Sequence, residues 1–251
     1  VVHLAAQAGV RYSLVNPKKY IDTNINGFFN ILDKSKNYKV KHFIYASSSS
    51  VYGLNKTQPF NENQKTDFPT SLYGATKKSN EILAHSYSYI FNLPCTGLRF
   101  FTVYGPYGRP DMSLFLFAEA IFKKTKLKLF NRGNMRRSFT HIDDIVNGIE
   151  KIILKIPRYN KEKNITKENV PYQIYNLGNP KDESLKNYLK YIENASKNKT
   201  TVAKMDMQIG DVKSTKASMK KFESVFRFKF KKNIKAGIVE FIQWYRKFYK
   251  V

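Results

Sequence analysis

The chain has 251 residues, of which 42% are hydrophobic, and its 44 Lys and Arg against 19 Asp and Glu give a net charge of +25. This length and composition allow a sizeable core and exclude a disordered chain. We find no apolar run approaching the roughly 18 residues of a membrane span. Cys95 is the only cysteine, which excludes an internal disulfide framework or a cysteine-built zinc site and favours a cytoplasmic location.

The positive charge is spread along the chain. Residues 1–180 carry +14 and residues 181–251 carry +11, and Lys supplies 35 of the 44 cations. A nucleic-acid-binding protein usually gathers its charge on one face and uses Arg for bidentate contacts. We therefore expect no nucleic acid and no membrane among its partners, whereas an anionic small-molecule substrate fits the charge.

Short apolar runs alternate with amphipathic stretches over the first hundred residues. The predicted strands are Val1–Leu4, His42–Ser47 and Thr96–Phe101, and the predicted helices are Pro17–Lys36 and Ser71–Phe91. Strands separated by helices indicate βαβ units, and hence a parallel sheet in an α/β fold. Small residues follow the first two strands, at the carboxyl edge where such sheets bind ligands.

The pattern changes after Tyr104, where a loop rich in turn-forming residues begins. We find no internal repeat in the rest of the chain. The remaining predicted elements are the helices Leu114–Lys124, Ile142–Lys155 and Ile234–Tyr249, an exposed polar loop at 157–171, and a strand at Tyr172–Leu177.

Tyr73 and Lys77 are four residues apart on a predicted helix, which places both side chains on one face. A nearby ammonium lowers the pKa of a tyrosine from about 10, and a cationic nicotinamide ring would add to that effect. Such a tyrosine takes a proton from an alcohol near neutral pH. The spacing therefore makes Tyr73 a candidate general base.

The Tyr–Lys spacing alone is weak evidence, because the chain contains three such pairs, about as many as chance predicts. The other two are Tyr52/Lys56 and Tyr159/Lys163. Only Tyr73 opens a predicted helix behind a strand that ends in hydroxyls, at Ser47–Ser50. Hydroxyls there can bond a substrate hydroxyl, a carboxylate or a cofactor amide. The alternative is a flexible serine loop.

Three arginines lie in predicted loops, at Arg109, Arg136 and Arg137. Arginine suits bidentate binding of a carboxylate or a phosphate, and the alternative for each is a solvated surface charge. None of the four histidines has metal-ligand spacing with another. Asp143 and Asp144 indicate an acidic helix N-terminus rather than a metal site, so we expect no metal.

A series of motifs resembles the extended short-chain dehydrogenase/reductase family, and within it the NAD-dependent nucleotide-sugar epimerases, most closely the UDP-glucuronate 4-epimerases. The motifs run in order over nearly the whole chain. They are HLAAQAGVRYS (3–13), N-x-x-G (24–27), YASSSSVYG (45–53), SLYGATKKSNE (71–81), GLRFFTVYGPYGRPDM (97–112), RRSFTHIDDIV (136–146), NLGN (176–179), GDV (210–212) and WYR (244–246).

The resemblance implies a role for each matching residue. Tyr73 would be the catalytic base, Lys77 its partner that also holds the nicotinamide ribose, and Ser48 a donor to the sugar 4-oxygen. The residues implied at the NAD site also include Ala5, Ala6, Asn24 and Phe100. Those implied at the UDP-sugar site are Ser49 and Ser50 near the sugar carboxylate, Thr102, Arg109, and, for the UDP part, Arg137 and Asp211.

The implied reaction belongs to nucleotide-sugar metabolism, as used in polysaccharide biosynthesis. A hydride passes from C4 of the sugar to tightly bound NAD, the 4-keto sugar turns over, and the hydride returns to its other face. NAD is regenerated, so the enzyme is an isomerase. Family members are commonly dimers, which makes a homodimer the implied assembly.

The resemblance divides the chain into 1–103, the remainder of an NAD-binding Rossmann domain, and 104–251, mainly the substrate-binding portion, with strand 172–177 returning to the Rossmann sheet. Family members begin with a strand, a Gly-rich turn and a helix that hold the pyrophosphate. No such segment precedes Val1, and roughly 70–80 residues are expected to be missing. We therefore expect the chain by itself to be inactive.

Three departures and several alternatives qualify this interpretation. Gly74 stands where the family usually has Ala, Ser138 where it usually has Asp, and Ile209 where it usually has Pro. The alternatives within the family are a UDP-glucose or UDP-N-acetylglucosamine 4-epimerase, or a sugar-nucleotide dehydratase. A dehydratase usually has an acidic residue just after the serine position, where this chain has Ser49 and Ser50. A further alternative is an inactive remnant that acts as a binding module.

Overall fold

The computed structural model describes residues 1–158, 170–208 and 210–251. The strands are β1 (Val2–His3), β2 (Phe43–Ser48), β3 (Cys95–Phe100), β4 (Thr102–Tyr104), β5 (Leu127–Leu129), β6 (Arg136–Arg137), β7 (Phe139–His141), β8 (Tyr172–Leu177), β9 (Glu183–Ser184), β10 (Val202–Lys204) and β11 (Ser214–Thr215). The helices are α1 (Tyr12–Val15), α2 (Pro17–Tyr20), α3 (Phe28–Asn37), α4 (Leu72–Phe91), α5 (Ser113–Phe122), α6 (Ile142–Ile153), α7 (Leu185–Ser196), α8 (Lys220–Phe226) and α9 (Ile234–Tyr249).

The main sheet has four strands in the order β1-β2-β3-β8, and every neighbouring pair in it is parallel. The predicted α/β fold with a parallel sheet is therefore confirmed, with strand ends shifted by a residue or two. Ser48 of β2 pairs with Phe100 of β3, which in turn pairs with Leu177 of β8. The carboxyl ends of three strands thus lie level, and a ligand site can form above them.

The helix predicted at Pro17–Lys36 consists of α2, a π-helical segment at Ile21–Gly27, and α3. Pro17 stands in the first turn of α2, where its missing N–H costs nothing. Within the π-helical segment, the carbonyl of Asn24 accepts a bond from the Asn80 side chain of α4 at 2.6 Å. This hydrogen bond joins the π-helical segment to α4.

Helix α4 carries both Tyr73 and Lys77. It begins after Ser71, whose hydroxyl accepts a hydrogen bond from the Gly74 N–H at 3.1 Å, and it ends at Asn92 in the left-handed conformation, with φ 52°. Its buried face includes Lys77 and Glu81, which is unusual for charged residues. The helix start therefore fixes where Tyr73 stands relative to the end of β2.

The C-terminal half has a core of its own, formed where α5, α7 and α9 pack together. Helix α9 has the predicted bounds, and its predicted apolar face of Ile238, Phe241, Ile242 and Tyr245 is buried. The sequence analysis missed α7, although Ser184 caps it and its apolar residues recur at helical spacing. These helices support the short strands that complete the site.

Part of the predicted polar loop at 157–171, together with the Tyr159/Lys163 pair, lies outside the described residues, as does Ile209. Among the residues that are described, no helix is both long and apolar enough to cross a membrane.

His42, at the start of β2, makes the stability pH-dependent. Burial lowers the pKa of its imidazole from 6.5 to about 4, and Nε2 bonds the Thr96 hydroxyl at 2.8 Å. Above pH 6.5 both states are neutral and stability is full; as the pH falls towards 4, the unfolded chain takes up the proton first. We expect His42 to account for about 2 kcal/mol of the stability lost between pH 7.5 and 5.

Urea unfolding of wild type and His42→Gln at both pH values measures this loss. The variant starts less stable, because it disturbs the bond to Thr96, but its stability should fall less between the two pH values. Equal pH slopes for the two proteins would contradict the role of His42.

Candidate active site

The serine cluster forms the end of a strand and a turn. Strand β2 ends at Ser48, and a 3-10 turn follows at Ser49–Tyr52. The Ser48 hydroxyl accepts a hydrogen bond from the Ser50 N–H at 3.1 Å, which caps the turn. Ser48 is buried, whereas Ser49 and Ser50 are half-buried. The interpretation as a flexible serine loop is therefore wrong, and the hydroxyls are held at the carboxyl end of the sheet.

Tyr73 lies in the first turn of α4 and faces this cluster. Its side chain and that of Ser48 line the same cavity. Burial raises the pKa of Tyr73 above 10, although the contact with Ser48 and the positive charge of Arg109 both act to lower it. The hydroxyl is therefore protonated at neutral pH unless a further positive charge is added near it.

Lys77 does not act on Tyr73 as predicted. Its Nζ donates to the carbonyl of Ala46 in β2 at 2.9 Å, and burial lowers its own pKa to about 8. Lys77 is not among the groups that shift the pKa of Tyr73, where burial outweighs the lowering by Ser48 and Arg109. Since an ammonium has three N–H donors, two remain for a ligand beside the end of β2.

A cavity of about 240 Å³ opens above the ends of β2 and β3. It brings together most of the site residues expected from the sequence. Those that line it are Ser48, Ser49, Ser50, Tyr73, Phe100, Thr102, Arg109, Arg137 and Asp211. Ala5, Ala6, Asn24 and Lys77 lie outside its lining.

A second cavity, of about 270 Å³, adjoins the first and shares Thr102, Arg109, Arg137 and Asp211 with it. Its far wall is apolar, with Leu116, Phe117, Leu127, Leu129 and Phe130. The two cavities together form a groove with a hydroxyl-rich end, a charged middle and an apolar end. Sequence analysis missed the apolar end, because its residues come from separate elements.

The charged middle of the groove contains Arg137 and two ion pairs. Arg109, with 43% of its side chain exposed, forms a bidentate pair with Asp111. Arg11 pairs with Asp211 at 3.0 Å and lies over the Phe130 ring. Burial lowers the pKa of Arg137, whose guanidinium donates to two carbonyls. An anion placed against Arg137 would therefore stabilise its charged form.

Four of the polar residues from the sequence analysis have structural positions outside the groove. Arg136 pairs with Asp182 on the surface. The buried hydroxyl of Ser138 accepts a bond from the Ala217 N–H at 3.0 Å. Asp143 and Asp144 stand in the first turn of α6, as predicted.

One other group of ligand-type side chains lies away from the groove. The ligand atoms of His141, Asp143 and Glu240 lie within 4.8 Å of one another. The ammonium of Lys232 is already 3.0 Å from Asp143 and 2.6 Å from Glu240. Lys232 therefore already neutralises these carboxylates, which disfavours a metal ion between them.

Comparison with known proteins agrees with the geometry of the groove. The family of NAD dependent epimerases/dehydratases matches residues 1–178. The chain belongs to this family. Protein CapI of Staphylococcus aureus is 48% identical over 255 residues, which cover 100% of this chain and 76% of that protein. A probable UDP-glucuronate 4-epimerase of Rhizobium meliloti is 40% identical over 258 residues, covering 100% of this chain and 75% of that protein.

A solved structure agrees over the same extent. The crystal structure of UDP-glucuronic acid 4-epimerase from Bacillus cereus, in complex with UDP-glucuronic acid and NAD, superposes with a TM-score of 0.88 at 30% identity. The match covers 99% of this chain and 76% of that one. The Rossmann-type fold expected from the resemblance is thereby confirmed.

The residues beside β1 and β2 fit the dinucleotide of this epimerase family. Ala5 and Ala6 follow β1 and are at least partly exposed, so a flat ring can lie against them. Lys77 offers two N–H donors beside β2. Asn24 is less available, because its buried amide bonds both the N–H and the carbonyl of Gln7, at 2.8 and 2.9 Å. Asn24 shapes the loop that follows β1.

Gly74 allows the serine turn to lie against α4. A Cβ at this position would be 2.8 Å from the Ser50 carbonyl oxygen. Gly74→Ala would gain helix propensity but force the turn to move by tenths of an ångström, and small shifts at reacting groups are costly to rate. We expect kcat to fall several-fold while the thermal midpoint changes little. Unchanged kcat in the folded variant would show that the close approach is unimportant.

Proposed function

We propose that the protein catalyses the NAD-dependent 4-epimerisation of UDP-glucuronate to UDP-galacturonate through a 4-keto intermediate. The observation that carries the proposal is a single groove in which Ser48 and Tyr73 meet beside Ser49, Thr102 and Arg109. The names of the relatives from Rhizobium meliloti and Bacillus cereus support the same substrate.

In this mechanism, Tyr73 takes the proton of the sugar 4-hydroxyl, and Ser48 donates a hydrogen bond to the same oxygen. Bound NAD would supply the hydride acceptor and a positive charge beside the phenol. That charge is needed because burial raises the pKa of Tyr73. Lys77, anchored on Ala46, would hold the nicotinamide ribose of NAD with its remaining donors. Ala5, Ala6 and Phe100 complete the surface proposed for the cofactor.

The hydroxyl-rich side of the groove suits the sugar carboxylate. Ser49, Ser50 and Thr102 offer neutral donors, and Arg109 offers a cation that Asp111 already partly neutralises. A fully unpaired arginine would hold the carboxylate tightly, whereas a shared one holds it weakly. Weak binding of the carboxylate suits the reaction, because the 4-keto sugar has to rotate in the groove between the two hydride transfers.

The UDP part is assigned to the other end of the groove. Arg137 provides the cation for the diphosphate. Asp211 holds a second cation, Arg11, in the same part of the groove. The apolar wall at Leu116–Phe117 and Phe130 accommodates a flat base. The groove thus offers a hydroxyl-rich end to the sugar, cations to the diphosphate and an apolar end to the base.

The direct test is product analysis. The full-length protein, purified and incubated with UDP-glucuronate, is expected to form UDP-galacturonate, detected by proton NMR, without net consumption of NAD. Protein denatured afterwards should release NAD. A protein that binds NAD and UDP-sugars but forms no product would be a binding module instead.

We also propose the two-part division at residues 103 and 104. In support, the core around α5, α7 and α9 contains only residues beyond 103, while another cluster contains Phe28, Phe43 and Tyr45 from the first part. Strand β8 pairs with β3, so the chain returns to the main sheet. A cytoplasmic location is part of the proposal and is consistent with the free thiol of Cys95.

A homodimer is proposed as the assembly. Helices α3 and α4 leave apolar side chains exposed, with Phe29 at 43%, Ile82 at 59% and Ile90 at 62% exposure. Apolar surface of this kind is typical of a subunit interface. Light scattering should give twice the mass of one chain, and Ile82→Glu should lower it.

A further inference from the structure

A buried ion pair between Glu81 and Arg99 lies beside Ser47, the residue before Ser48. Arg99 Nε donates to Glu81 Oε1 at 2.8 Å and Arg99 Nη2 to Glu81 Oε2 at 2.9 Å. The two side chains are only 4% and 3% exposed. Burying two charges is costly, and apolar residues of similar size often stabilise a core as well or better. The pair therefore calls for an explanation other than stability.

The pair binds both ends of the serine turn. Ser47, next to Ser48, donates to Glu81 Oε1 at 2.6 Å. On the other side of the turn, the hydroxyl of Tyr52 accepts a bond from Arg99 Nη1 at 3.1 Å. The same hydroxyl donates to Asn176 of β8 at 2.6 Å. Ser48–Ser50 is thus tied at its entrance and at its exit.

The pair also binds the helix that carries the base. Along α4, every fourth residue from Tyr73 lies on the same face of the helix. These residues are Tyr73, Lys77 and Glu81. Ser47 pairs with Arg99 in the sheet register. The bonds of Glu81 to Ser47 and to Arg99 consequently fix α4 against the ends of β2 and β3. Ser48 follows Ser47 directly in β2, and Tyr73 stands two turns before Glu81 on α4, so the pair links the two elements that carry these hydroxyls.

We infer that Glu81 and Arg99 are positioning residues, which hold the Ser48 and Tyr73 hydroxyls at the spacing that lets both reach one substrate oxygen. The inference rests on the proposed function. Because the pair lies beneath the sugar end and away from Arg137, its loss should lower kcat and leave the KM for the UDP-sugar almost unchanged. A purely structural pair would instead affect stability first.

The decisive variant replaces the whole pair, Glu81→Met with Arg99→Met, which leaves no buried charge unpaired. We expect it to fold, with a thermal midpoint near that of wild type, and to lose at least about thirtyfold in kcat. Wild-type kcat in the folded double variant would overturn the inference. A crystal structure gives a readout without turnover: the Ser48 and Tyr73 hydroxyls should lie farther apart than in the wild type.

A milder variant keeps the test valid if the double variant does not fold. Ser47→Ala removes only the bond from Ser47 to Glu81 and should lower kcat about tenfold at constant KM. Its matched control is Ser35→Ala, which removes a buried serine bond to a carbonyl of α3 at 2.7 Å, away from the groove. An equal kcat for the two serine variants would overturn the inference. Absence of turnover in wild type would refute the proposed function instead.

Discussion

Tyr73→Phe is expected to lower kcat by at least about a hundredfold, the lower range for loss of a general base. Phenylalanine keeps the ring and its packing but cannot take a proton from the 4-hydroxyl. The fold and the bound NAD should be unchanged. Steady-state rates with UDP-glucuronate, together with circular dichroism and the NAD released on denaturation, measure the three quantities.

The structure changes the choice of control for this experiment. Tyr52 would have been a natural control from the sequence, but its hydroxyl is buried and bonds Asn176, and Tyr159 lies outside the described residues. Tyr89 is better, since it lies on the same helix and is 63% exposed. Tyr89→Phe should keep full activity. Near wild-type turnover in Tyr73→Phe would remove Tyr73 from the mechanism.

The features predicted well from sequence are those set by local chemistry. The helix predicted at Ser71–Phe91 begins one residue later, at Leu72, and Tyr73 and Lys77 share one of its faces through helical spacing alone. The strand ends at Ser48 where apolar residues give way to serines. Neither inference needed to know which strand neighbours which, and both proved accurate to within a residue or so.

The features missed depend on contacts between distant parts of the chain. Arg11 and Asp211 are 200 residues apart in sequence, yet they pair across the groove. From the sequence, nothing distinguishes Glu81 and Arg99 from surface charges. Their burial follows only from the position of β3 between β2 and β8. Spacing also reveals the lysine near Tyr73 but not the surroundings that raise the pKa of this half-buried tyrosine. Strands of two or three residues are also too short for the alternation of apolar and polar residues to reveal them in the sequence.

The second large effect concerns the substrate. We expect the full-length enzyme to prefer UDP-glucuronate over UDP-glucose by at least about a hundredfold in kcat/KM, or roughly 2.7 kcal/mol. A hydroxymethyl group would leave part of the donors at Ser49, Ser50 and Thr102 unpaired, and each buried unpaired group costs roughly 1–3 kcal/mol. Equal turnover of both sugars would favour the UDP-glucose 4-epimerase alternative.

Variants of Arg109 and Asp111 test two steps separately, the binding of the sugar carboxylate and its release when the sugar rotates. Arg109→Ala should raise the KM for UDP-glucuronate about tenfold or more and change the KM for UDP-glucose little, since a charge-assisted bond is worth roughly 1.5–3 kcal/mol. The matched control is Arg136→Ala, which removes an arginine paired with Asp182 outside the groove. It should change neither constant.

Asp111→Asn tests the opposite change, because it frees Arg109 from its bidentate partner. The unshared guanidinium should hold the carboxylate more tightly, so the KM for UDP-glucuronate should fall. The same hold should slow the turning of the 4-keto sugar, so kcat should fall as well, by several-fold, while constants for UDP-glucose stay near wild type. If kcat for the uronate instead rises or stays constant as KM falls, the weakened hold of Arg109 is not what permits the sugar to turn.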